Sequence, residues 1–181
     1  MKKFMFVALL SMSLGISQAQ IGVKGGMNIS TWHGDDVDAN TLKSAAGFYL
    51  GMFYNINATH HFGIEPQVVY STTGVKAQDD PNDRDRFSYI DITALFKWMA
   101  KSGFFFGGGP ELDFLLSAKH KLGDVDTDIK DGVKKTYFYL AVVTGWDFDC
   151  GFGVYTRFNF GLTKLFEDDQ DFDAKQNVLQ F

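Results

Sequence analysis

The feature that most limits the fold of this chain is an alternation of period two that recurs along nearly all of it. In AGFYLGMFYNIN, residues 46–57, every second residue is apolar: Ala46, Phe48, Leu50, Met52, Tyr54 and Ile56. Gly47, Tyr49, Gly51, Phe53, Asn55 and Asn57 stand between them. Successive side chains of a strand point to opposite faces, so such a run predicts a strand with one face that avoids water. The same reading holds for 21–29, 62–71, 90–98, 104–116, 138–148 and 152–162, and the closing NVLQF places Leu179 and Phe181 together. This gives seven full strands and one short one. Pro66 and Pro110 fall inside two of the runs. Each removes a ladder donor, and prolines in strands favour edges, ends or bulges; the pattern does not say how these two are accommodated.

The second face decides between a soluble and a membrane barrel. It carries Lys24, Glu65, Asp91, Lys97, Glu111, Asp113, Asp147, Asp149 and Arg157, interspersed with glycines. A soluble eight-stranded barrel turns its apolar face inward and its charges to water. Eight strands, however, leave an interior only just filled by side chains, which has no room for seven strands of Phe, Leu, Trp and Tyr. The bulky face therefore points into lipid, and an open edge there would strand backbone polar groups at several kcal/mol each, so the sheet must close. The expected architecture is all-β: an eight-stranded antiparallel up-and-down transmembrane β-barrel, its strands of about 9 to 15 residues suited to a tilted crossing. The charged face becomes a structural lumen network of Lys24, Glu65, Asp91, Lys97, Glu111, Asp113, Asp147 and Arg157, with an interior plugged by side chains. Carboxylates outnumber cations on this face, so some should sit near water, stay protonated or hold a cation.

Short connections after the second, fourth and sixth strands alternate with long charged ones, the pattern of outer-membrane barrels with short periplasmic turns. The long loops are expected at 31–45, 72–87, 119–136 and 166–176, and any recognition is expected there. Tyr54, Phe62, Trp98, Phe104, Trp146, Phe148 and Phe152 lie beside the short turns, where amphipathic rings form a periplasmic girdle.

Lys2 and Lys3 precede an apolar run from Phe4 to Ile16 and the small-residue stretch Ser17-Gln18-Ala19, which reads as a cleavable secretory signal peptide over 1–19. The run is too short for a spanning helix. Residues 20–181 then form the barrel domain. With 17 Lys plus Arg against 22 Asp plus Glu, no nucleic-acid partner is expected. Cys150 is the single cysteine, so no bridge within the chain is available.

Candidate sites are few. Asp124-Val125-Asp126-Thr127-Asp128 has the acid spacing of a calcium loop, but Ile129 and Lys135 occupy positions where such a loop needs Gly and Glu. It reads as a solvated acidic loop, as do Glu167 to Asp169 with Asp171 and Asp173. The four histidines, His33, His60, His61 and His120, all fall in predicted loops or turns, and His33 beside Asp35 and Asp36 is the one candidate dyad. No catalytic residue, cofactor site or metal site is expected.

The opening IGVKGGMNIS, the runs IEPQVVYSTTGVK and SYIDITALFKW, the arm FFFGGGPELDFLLSAK, the strand FGVYTRFNFGLTKL and the closing NVLQF together resemble the PorT-like outer-membrane β-barrel domain proteins common in the Bacteroidota. The resemblance spans nearly the whole mature chain. It implies an eight-stranded outer-membrane barrel and, through the family's namesake, an envelope or secretion protein as partner. Members usually continue for about half a strand beyond the stretch resembling NVLQF, and a spanning strand needs about 9 to 11 residues, so either the sequence stops short of the full strand or the eighth strand closes poorly. The expected function is a non-enzymatic, monomeric membrane scaffold with loop-borne recognition, in contact with outer-membrane lipid.

Overall fold

A computed structural model of the chain describes residues 19–33, 42–77, 83–122, 125–129, 134–163 and 175–181. The signal-peptide assignment and the acids of the fourth long loop lie outside them. The strands are β1 (Ala19–His33), β2 (Leu42–Asn57), β3 (Phe62–Ala77), β4 (Asp83–Met99), β5 (Phe104–Leu122), β6 (Val125–Asp128), β7 (Thr136–Asp147), β8 (Gly153–Gly161) and β9 (Lys175–Gln180). Their order is β4-β3-β2-β1-β9-β8-β7-β5, and β4 also pairs with β5, so the sheet closes into an antiparallel barrel of eight strands. β6 is a short arm against the end of β5, where Lys119 to Leu122 meet Asp128 to Val125.

The strands outrun the alternation that announced them. β5 has 19 residues, about 60 Å at roughly 3.3 Å per residue. Even tilted by about 40°, this exceeds an apolar band of about 25 Å. The excess lies at the long-loop end, called the upper end below, and it corrects the loop boundaries. β3 runs to Ala77 and β4 begins at Asp83, so most of the expected loop at 72–87 is a projecting hairpin. Likewise β1 runs to His33, β2 starts at Leu42, and 119–136 contains the end of β5 and all of β6. Ladder hydrogen bonds need no apolar face, so pairing continues where the alternating side chains have become polar. β9 pairs with Asn28 to His33 of β1 and with Arg157 to Asn159 of β8, and Phe181 exchanges backbone hydrogen bonds with Met27 at 2.9 and 3.1 Å. The barrel closes through β9.

Both prolines cost the ladder the same small interruption. Between β2 and β3, Phe53 pairs with Gln67 and Ile56 with Ile64, but the two intervening positions, with Pro66 among them, make no bridge. Between β4 and β5, Thr93 pairs with Glu111 and Phe96 with Gly108, again skipping two positions around Pro110. On their other sides Pro66 faces Ala94 and Pro110 faces Leu140 in unbroken pairing. A missing N–H points to one neighbour only, so each proline opens one ladder and leaves the other intact. Two of the short turns are made by Gly103 (φ 92°) and Gly151 (φ 84°), a backbone region that other residues avoid.

The faces are allotted as expected. Phe48, Val68, Phe96 and Phe138 point outward and are each more than half exposed (54%, 53%, 57% and 53%). Together with their neighbours they form a continuous apolar surface that water would not tolerate. The interior departs from a purely small and charged lining, because two apolar layers lie within it. The upper comprises Phe87, Tyr89, Leu115, Ala118, Tyr137 and Tyr139, and the lower Leu95, Phe105, Ala141 and Val143. Glycines make the room: a Cβ at Gly22 would fall within the Phe53 ring, and one at Gly145 would collide with Phe105. At the short-turn end, Phe104 packs on Trp146 at 6.2 Å and Phe148 on Phe152 at 6.3 Å, giving the expected girdle.

Candidate functional site

The charge network begins below the upper apolar layer and continues past Leu95 of the lower one to Lys97, and its geometry follows from strand parity. Lys24 comes from β1, Glu65 from β3, Asp91 and Lys97 from β4, Glu111 and Asp113 from β5 and Arg157 from β8, all buried. Asp147 ends β7 at the lower mouth and is half-exposed, and Asp149 lies in the exposed turn beyond it. Asp149 was placed on the lumen face by parity; it sits outside because the strand has ended and parity no longer applies.

Arg157 is the centre. It is 2% exposed, and its Nη2 forms an ion pair with Glu111 Oε2. It also donates from Nε to Asn159 Oδ1 at 2.7 Å, from Nη1 to Gln67 Oε1 at 3.0 Å and from Nη2 to Thr93 Oγ1 at 3.1 Å. Glu111 accepts further bonds from Thr93 Oγ1 at 2.6 Å and Asn159 Nδ2 at 2.8 Å. Below it, Lys97 Nζ meets Glu65 Oε2 at 2.8 Å and Asp147 Oδ2 at 3.6 Å and lies 3.9 Å from the Phe105 ring centre. Lys24 Nζ donates to Gln67 Oε1 at 2.9 Å and rests over Tyr155 at 4.4 Å, with Glu65 no nearer than 4.0 Å. Gln67 joins the two groups, since its Nε2 also donates to Glu65 at 2.5 Å. A cavity of about 540 Å³ opens below, lined among others by Lys24, Lys97, Glu65, Tyr49 and Phe105.

Gln67, Thr93 and Asn159 were not singled out from the sequence. Their signal was their parity, since each stands two residues from a charged lumen residue. The surplus of carboxylates resides at Asp91 and Asp113, which face one another across β4 and β5. Each is buried with one oxygen that has no hydrogen-bond partner among the described residues. No group of three His, Cys, Asp or Glu among the described residues has the arrangement of a metal site.

The upper rim holds a second set of charges. His120 Nδ1 lies 2.7 Å from Asp85 Oδ1. His120 is in β5 and His33 ends β1, so two of the four histidines stand in strands rather than loops, again because the strands continue above the apolar belt. The acids Asp126 and Asp128, expected in a solvated loop, are instead in β6, in register with Lys121 and Lys119.

A closed barrel of eight antiparallel strands with lipid-facing aromatics, a charged interior and short turns at one end is an outer-membrane β-barrel protein. The chain belongs to the outer membrane protein beta-barrel domain family, whose model matches residues 11–167. Among solved structures it is similar to that of Ail, the attachment invasion locus protein of Yersinia pestis, at 17% identity and a TM-score of 0.50, covering 88% of this chain and 93% of that one. A second structure of Ail, in complex with the heparin analogue sucrose octasulfate, matches at 18% identity with the same TM-score and coverage. No curated protein matches the sequence.

Proposed function

We propose that the protein is a non-enzymatic outer-membrane scaffold, exported by a cleavable leader, whose upper wall and loops carry recognition. The observation that carries this reading is the interior. The Arg157–Glu111 network is buried below the upper apolar layer, where Phe87, Tyr89, Tyr137 and Tyr139 close the upper side at 1–3% exposure. A lumen packed in this way supports neither conduction nor a substrate path, whereas strands that outreach the apolar belt present new surface outside. The test is reconstitution of the mature protein in planar bilayers, with heat-modifiable migration as proof of folding. The folded barrel should show no stepwise conductance; a steady open level would overturn the reading.

Two alternatives are kept for stated reasons. The finer likeness to PorT-like members points to an envelope or secretion partner at the periplasmic turns, and co-purification through the turns at 58–61 and 100–103 would support it. The 2.7 Å His120–Asp85 pair has the form of an oriented base. If His120→Ala abolished a lipid-modifying or proteolytic activity of the wild type, the enzymatic reading would replace the scaffold.

A further inference from the structure

The cavity in the lower lumen is left over by the packing that fills the rest of the interior. Its volume of about 540 Å³ is that of a small-molecule pocket. Its upper end is stopped by the Gln67 and Arg157 side chains, with the tyrosine-rich layer above them. At its lower end it lies among Asp147, Phe148 and Phe152, beside the turn between β7 and β8. The pocket is therefore blind above and is reached from the short-turn, periplasmic end.

Lys24 is the lining group whose bonding capacity is least used. An ammonium has three donors, but among the described residues Lys24 Nζ has one acceptor, Gln67 Oε1 at 2.9 Å, and its side chain is 6% exposed. Glu65 stands at 4.0 Å and is already engaged, with Oε2 taking Lys97 at 2.8 Å and Oε1 taking Gln67 at 2.5 Å. Arg157 and Glu111 form their own pair, and Asp91 and Asp113 stand higher still, beyond Thr93 and Glu111 in β4 and β5. Of the three buried charges that line the cavity, Lys24, Lys97 and Glu65, one positive charge is left over. Asn55 lines the same cavity, and its Oδ1 is buried with no donor among the described residues. A ligand that brings one negative charge and one donor satisfies both groups. Glu65 and Asp147 in the same walls oppose a dianion. Tyr49, Phe53, Phe105 and Tyr155 supply rings to the walls, and ring edges meeting ring faces favour an aromatic body over an alkyl chain.

We propose that the lower lumen is a binding pocket for a small aromatic monocarboxylate that enters from the periplasm, its carboxylate on Lys24 and an N–H or O–H of its ring system on Asn55. This goes beyond the scaffold reading, which places recognition on the upper wall and loops. It requires no open channel, because the pocket is stopped above.

The test is titration calorimetry of the mature protein in phosphatidylcholine nanodiscs, with empty discs as the reference and indoleacetate as the probe. Indoleacetate should bind at least about tenfold more tightly than indoleacetamide, which lacks the charge, and N-methylindoleacetate, which lacks the donor, should fall between them. Lys24→Gln should bring acid and amide to equal affinity. Asn55→Leu should do the same for indoleacetate and its N-methyl form, and Lys101→Gln in a short turn should change neither preference. Heat-modifiable migration shows that each variant is folded, and the comparison of acid with amide in the wild type needs no variant at all. Absence of indoleacetate binding up to about 1 mM, equal wild-type affinity for acid and amide, or an unchanged preference in folded Lys24→Gln would overturn the proposal. So would tighter binding of decanoate than of indoleacetate, which would make the cavity an acyl-chain site. Conductance in planar bilayers bears on the scaffold reading and not on this binding, so the two fail separately.

Discussion

Replacing Arg157 is the sharpest probe of the interior. Its guanidinium supplies one ion pair and hydrogen bonds to three neutral side chains, all buried, with the upper apolar layer above them. Arg157→Met removes the cation and leaves Glu111 buried, with only the Thr93 and Asn159 donors to hold its charge. Breaking a buried pair from one side costs about 3 to 5 kcal/mol, because the remaining charge keeps its desolvation penalty. The upper part of that range is expected, since Asp91 and Asp113 already burden the same interior with carboxylates. If the penalty comes from the stranded carboxylate and not from lost packing, removing it should restore stability. Arg157→Met/Glu111→Gln should therefore recover about 1 to 3 kcal/mol relative to Arg157→Met, the size of coupling seen for residues in one network. Reversible urea unfolding in lipid vesicles, followed by the fluorescence of Trp98 and Trp146 and extrapolated linearly, measures both quantities. A double variant as unstable as the single one, or an Arg157→Met cost below about 1 kcal/mol, would show that the network does not hold the interior together.

Two further substitutions test the faces separately. Val68→Lys puts a charge on the lipid side of a central strand and should cost about 2 to 4 kcal/mol in the same unfolding assay, against far less for Thr72→Lys near the upper interface. Gly22→Leu places side-chain atoms where the Phe53 ring stands and should cost about 1 to 3 kcal/mol, with Phe53→Ala in the same chain relieving part of the loss.

The barrel was legible in the sequence because lipid and lumen impose opposite demands on alternate residues. Phe48 and Tyr49, or Val68 and Val69, are adjacent in the chain and point to opposite sides of the wall. Parity therefore placed Lys24, Glu65, Asp91, Lys97, Glu111, Asp113 and Arg157 inside without any knowledge of contacts. It could not say which of them meet. Arg157 and Glu111 are brought together across the lumen from β8 and β5, which depends on the stagger of strands around the closed sheet. Neutral members such as Gln67 and Asn159 carry no charge to draw attention, although they hold much of the network. The projecting wall was missed for a different reason: above Tyr70 in β3 and Phe87 in β4 neither face is consistently apolar, so periodicity is silent while backbone pairing continues.

That silence has a consequence for how firmly each part of the wall is specified. Within the belt a slip of one residue would carry Glu65, Asp91 or Glu111 into hydrocarbon and bulky apolar residues into the crowded lumen. Charged residues on the lipid face cost up to about 2 to 4 kcal/mol each for the most unfavourable types, so the register is pinned at many points at once. Above the upper apolar layer, beyond Phe87 and Ala118, a slip exchanges one polar residue for another and costs little. The register shifts fall at this boundary: one lies between Ser44 and Tyr49 in the β2–β3 pairing and the other between Ser88 and Tyr89 in the β4–β5 pairing. Bulges at a barrel rim allow the strands to change twist and part as they leave the membrane. A single alanine inserted after Lys76, beyond the boundary, should leave heat-modifiable migration and the urea midpoint nearly unchanged. The same insertion after Val68 should abolish folding, because every residue of β3 above it would change sides relative to β2 and β4. Equal tolerance at the two positions would mean that the lipid–lumen contrast does not set the register, and strand pairing would then need another determinant.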